Sequence, residues 1–94
     1  MEILINFPGG ARVDARVRDH IVQTDQPKSG GGDDSAPSPF ELFLASLGTC
    51  AGIYVLGFCR QRNLPAEGIR IVQRVHADTI ELEIQVPPAF PKQY

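Results

Sequence analysis

Cys50 and Cys59 are the two cysteines of this chain, and a thiol is the strongest nucleophile among its side chains. A thiol works as a nucleophile when its thiolate is stabilised by nearby positive charge or a helix N-terminus. Cys50 lies inside the stretch Ser38–Arg62, which reads as a helix, so it is too deep to feel the dipole of the first turn. A kink or restart near Gly48-Thr49 would bring it close to a new N-terminus. An arginine from the N-terminal region, Arg12, Arg16 or Arg18, would also serve. The alternative is a buried thiol that packs as a small hydrophobe. Cys59 follows nine residues later. Nine residues turn a helix through about 900° and raise it by roughly 13.5 Å, which puts the two thiols on opposite faces. A disulfide needs Cα atoms within about 7 Å, so an intact helix keeps this pair apart. Glu41 precedes Cys50 by the same nine residues and also points away from it. His20 and His76 have no ligand-like spacing to the cysteines, so neither a metal nor another cofactor is expected.

The element that carries these residues has a sharp start. Ser38 is an N-cap residue, Pro39 occupies the first helical position, and Glu41 completes a capping box. Asn63-Leu64-Pro65 ends the helix. Its apolar residues keep to no single stripe, which predicts a helix buried all round, in a protein or a membrane. Before it, Met1–Phe7 and Ala11–Val17 alternate in hydropathy around a Pro8-Gly9-Gly10 turn, which predicts a β-hairpin. His20–Thr24 is open to a short third strand. Asp25–Pro37 has no periodicity and reads as a flexible loop or lid. After the helix, Ile69–Val75 and Thr79–Val86 alternate again, with Asp78 at the turn between them. The order β-β-(β)-α-β-β predicts one α+β domain over residues 1–94, with a long buried central helix followed by two antiparallel strands.

The chain has 94 residues, 43% hydrophobic and 21% charged, with a net charge of −2. That balance gives no electrostatic reason to expect nucleic acid or an anionic membrane. Two cysteines are too few for a disulfide scaffold, and the N-terminus lacks the pattern of a secretory signal, so a cytoplasmic protein is expected. A domain this small gains stability by oligomerising. One sheet covers one side of a helix that is apolar all round; the other side calls for a second copy or a bilayer. Pro39–Cys59 holds one charge, Glu41, and Gly48 and Gly52 form a GxxxG pair, so a single membrane span is an alternative. The flanking amphipathic strands favour a soluble homodimer, in which that glycine pair would let two helices approach closely.

The stretch SPFELFLASLGTCAGIYV, followed by FCRQRNLPAEGIRIVQR, resembles the OsmC-like superfamily, which includes the organic hydroperoxide resistance proteins. The resemblance covers the whole chain, and the pattern P-x-E-L-x-L-A-x-L-G-x-C from Pro39 to Cys50 carries most of it. It implies an intertwined homodimer, with two central helices sandwiched by sheets that contain strands of both chains. It also implies thiol-dependent reduction of organic hydroperoxides or hydrogen peroxide, with Cys50 in the peroxidatic position and Arg12 and Glu41 as candidate helpers of its thiolate. The sequence departs from the family pattern in three places. The family's second, resolving cysteine lies beyond the position of Tyr94, so a missing C-terminal helix and strand is expected. Phe40 stands where the peroxidases carry their glutamate, and Ala11 separates Gly9-Gly10 from Arg12. Turnover would then need an external thiol reductant. The other reading is a non-catalytic module that binds a hydrophobic small molecule at the dimer interface, with Cys50 lining the cavity.

Overall fold

The computed structural model describes all residues, Met1–Tyr94. The chain forms strands β1 (Ile3–Gly9), β2 (Arg12–Val17) and β3 (His20–Thr24), a single 3-10 turn (Lys28–Gly30), helix α1 (Pro39–Gln61), and strands β4 (Arg70–Val75) and β5 (Ile80–Gln85). It divides into two compact units, Met1–Leu44 and Ala45–Tyr94.

In the first unit, the strands form an antiparallel sheet in the order β1-β2-β3. Ile3 faces Val17 and Ile5 faces Ala15, so alternation places the apolar residues of neighbouring strands on one face. The register shifts between Asn6 and Gly9, and Gly10 takes φ 58°, a conformation that glycine adopts without a Cβ penalty. His20–Thr24 is a full strand; Ala15 pairs with Val22 and Val17 with His20.

The loop after β3 is more ordered than a flexible connection. Asp25 is 1% exposed, and its carboxylate gathers the segment that follows. Oδ1 accepts the Gln26 N–H at 2.7 Å. Oδ2 accepts the Ser35 hydroxyl at 2.6 Å, the Ser35 N–H at 3.0 Å and the Asp33 N–H at 3.3 Å. The Asp25 N–H donates to the Pro37 carbonyl at 3.2 Å and closes the neck of the loop. Sequence periodicity is silent here because the order comes from one side chain rather than from a repeating backbone pattern.

The helix starts where the capping signal puts it. The Ser38 N–H donates to Glu41 Oε1 at 2.9 Å, and the Glu41 N–H donates to Ser38 Oγ at 3.3 Å. It ends in a Schellman motif. Asn63 adopts φ 53°, its N–H donates to the Arg60 carbonyl, and the Leu64 N–H reaches back to Cys59. Between these caps α1 is continuous, with no restart at Gly48-Thr49.

In the second unit, β4 and β5 form an antiparallel hairpin. Alternation splits it into two faces. Arg70, Val72, Arg74, Glu81, Glu83 and Gln85 share one, where Arg74 pairs with Glu83 at 2.8 Å and Arg70 Nε donates to Gln85 at 2.6 Å. Ile71, Gln73, Val75, Ile80, Leu82 and Ile84 share the other. Two features of α1 bear on the sequence expectation. First, its burial is not achieved within one chain: only Cys59 is buried, and Ile53 and Tyr54 are 67% and 78% exposed. The helix remains long and apolar enough to cross a membrane by composition alone. Second, Gly48 and Gly52 face β4 of the same chain. A Cβ on Gly48 would collide with the Gln73 side-chain oxygen, and one on Gly52 would sit 4.0 Å from Ile71 Cδ1. The smallest side of the helix is where a strand comes closest, and the hairpin uses it.

Candidate functional site

The use of Gly48 and Gly52 fixes the setting of Cys50. Two residues turn a helix by about 200°, so Cys50 lies on the side opposite both glycines. Its thiol is free and exposed. Its neighbours at three and four residues on the same side are Ser46, Leu47, Ile53 and Tyr54. All four are exposed, so the thiol stands in a mainly apolar, exposed stripe of the helix.

Glu41 is held by the helix start. Its carboxylate accepts the Ser38 N–H, and this bond together with the Ser38 hydroxyl lowers its pKa below the ordinary carboxylate value. Arg12 is exposed at the start of β2. Glu41 and Arg12 belong to Met1–Leu44 and Cys50 to Ala45–Tyr94. Cys59 is buried and free, nine residues along the unbroken helix from Cys50. No three His, Cys, Asp or Glu side chains are grouped so as to hold a metal ion.

Sequence reasoning missed three residues. Asp25 is the first; a run of donors from Gln26 to Ser35 converges on it, and its pKa falls to about 2, mainly through the Ser35 hydroxyl and N–H and then the Gln26 N–H. An Asp that opens a Gly/Ser-rich stretch directly after a strand was the available signal. Gln73 is the second, the one polar residue among six on the apolar face of the β4–β5 hairpin. Arg62 is the third. Its guanidinium lies 3.7 Å from the Phe58 ring centroid and 5.6 Å from that of Tyr94, and Nη1 donates to the Phe58 carbonyl at 3.2 Å.

A family model described as OsmC-like protein matches residues 31–92. That range contains the helix, both cysteines and both C-terminal strands. The chain belongs to the OsmC-like family. Among solved structures, the chain is similar to a protein from Psychrobacter arcticus 273-4 described as an osmotic stress induced and detoxification response protein. The TM-score is 0.68 at 21% identity, over 85% of this chain and 61% of that one. The OsmC-like chain thus has the fold of that protein and spans about three fifths of its length. Comparison with curated proteins gives no match.

Proposed function

We propose that this OsmC-like chain reduces organic hydroperoxides or hydrogen peroxide at Cys50, as a homodimer in the reducing cytoplasm. One observation carries the reading: Cys50 is an exposed thiol set in an apolar stripe of the helix that belongs to the family match. Leu47, Ile53 and Tyr54 offer contact area to the hydrocarbon part of an organic peroxide. The Cys50 thiolate attacks the outer peroxide oxygen, the O–O bond breaks, and the alkoxide leaves and takes a proton to become the alcohol. Cys50 is left as a sulfenic acid. Cys59 is buried and held away by the continuous helix, so it does not resolve that acid. A small external thiol does: it attacks the sulfenic sulfur, water leaves, and a second thiol releases Cys50 and carries off the disulfide. Glu41 and Arg12 are candidate partners of the thiolate in the dimer, where residues of the second copy complete the site.

The homodimer reading rests on exposed apolar side chains of the second unit. Ile53, Tyr54, Ile84 and Val86 are 67%, 78%, 55% and 49% exposed. Apolar faces of this kind are what obligate homodimers bury.

The test is a thiol count after hydroperoxide treatment. One thiol should disappear in the native chain and in Cys59→Ser, and none in Cys50→Ser. An unreactive Cys50 under excess cumene hydroperoxide refutes the catalytic reading. Sedimentation at micromolar concentration tests the dimer separately, and a monomer throughout overturns it.

A further inference from the structure

The far end of α1 holds a cavity that shares only Tyr54 with the proposed peroxide site. Its volume is about 350 Å³, and its walls include Tyr54, Phe58, Cys59, Ile84, Phe90 and Tyr94. All of these belong to the second unit. The lining is apolar apart from two phenol groups and the buried Cys59 thiol. A cavity of about 150 Å³ with aliphatic walls holds one benzene, so this one has room for an organic body roughly twice that size. It also falls within the range of small-molecule sites.

Beside this cavity stands a cation with no counter-charge. Arg62 lies over the Phe58 ring at 3.7 Å and within 5.6 Å of the Tyr94 ring, both residues of the wall, and one N–H is fixed on the Phe58 carbonyl. The chain's ion pairs all lie on the β4–β5 hairpin, between Arg74 or His76 and Glu81 or Glu83, and none involves Arg62. A guanidinium presents five N–H donors in a planar fork suited to a carboxylate. Here most of those donors are unused, and the contact with the Phe58 ring has already restrained the side chain.

We propose that the cavity beside Arg62 binds a small monocarboxylic acid, with its apolar body among Tyr54, Phe58, Ile84 and Phe90 and its carboxylate on the Arg62 guanidinium. The apolar walls supply most of the affinity and little selectivity. Arg62 supplies selectivity for the anion over an uncharged molecule of the same shape. The carboxylate end of the site lies at Arg62, about three helical turns from Cys50, and the apolar end shares Tyr54 with the Cys50 stripe.

Calorimetric titration with octanoate and with octanamide tests this. The acid should bind about tenfold or more tightly than the amide, the range expected of a charge-assisted contact. Arg62→Met keeps an apolar stem and should bring the ratio close to one; Arg62→Lys, which keeps the charge, should retain part of it and serves if the Met variant misfolds. Bound octanoate should slow alkylation of Cys59 and leave Cys50 unaffected. Equal binding of acid and amide, binding of neither, or protection of Cys50 in place of Cys59 would each overturn the assignment.

Discussion

Gly32→Ala should break the loop that leads into α1, although Gly32 touches no candidate catalytic residue. A Cβ at position 32 would overlap the Gln26 carbonyl oxygen and lie 2.7 Å from both Asp25 Oδ1 and the Gln26 carbonyl carbon. Two of these three atoms are backbone, so no rotamer change relieves the clash. The loop must move, and the neck bond from Asp25 to Pro37 ties that movement to the residue before the helix cap. Overpacking of this kind costs about 1–3 kcal/mol. The reduced freedom of the unfolded chain returns about 0.4–1 kcal/mol. The net loss is at most about 2.6 kcal/mol, and each kcal/mol lowers the midpoint of a domain this size by about 4–8 °C. Thermal unfolding followed by circular dichroism reads the global effect. Carbon-13 titration of the Asp25 carboxyl reads the local one: its pKa of about 2 should move back toward 3.8 as the Ser35 and Gln26 donors drift away. An unchanged midpoint together with an Asp25 pKa still near 2 would refute the reasoning.

The same carboxylate makes the loop sensitive to acid. The folded pKa of Asp25 lies below its ordinary value, so its contribution is complete above about 3.8 and is lost as pH falls toward about 2. Amide exchange of Asp33 and Ser35 should accelerate across that window, and a flat profile would contradict the hydrogen-bond assignment. Ser38→Ala removes the acceptor of the Glu41 N–H and should cost about 0.5–2 kcal/mol, read as a lower thermal midpoint. A midpoint equal to that of the native chain would mean that the cap adds nothing to stability.

The parts of the fold that were legible in the sequence depend on neighbours along the chain. Ser38, Pro39 and Glu41 mark the helix start because each satisfies a need of the first turn, and the capping-box bonds form as the spacing predicts. Alternation from Thr79 to Val86 gives β5 because a pleated strand puts every second residue on one face. The Asp25 loop was not legible, since its donors come from positions 26, 33 and 35 and converge only after the chain has turned back. Nor was the cavity beside Arg62, whose walls come from α1, β5 and the C-terminal residues Phe90 and Tyr94.

The glycine pair shows why the candidate site was half legible. Residue type alone says that Gly48 and Gly52 let something come close; it does not say what. Had they met another helix, Cys50 would have pointed away from that contact and toward the chain's own strands. Because they meet β4, the thiol faces away from the hairpin and is exposed. The choice between a buried inert thiol and an accessible one was therefore a choice of helix rotation. The apolar pattern could not set that rotation, because apolar residues surround the helix. The hairpin lies against the Gly48 side, where a Cβ would collide with the Gln73 side chain. The proposed peroxide chemistry thus depends on a packing contact on the opposite side of α1. Gly48→Leu should turn or lift the helix against the hairpin and change the alkylation rate of Cys50, with no residue near the thiol altered. An unchanged rate in a folded Gly48→Leu protein would show that the hairpin does not orient Cys50.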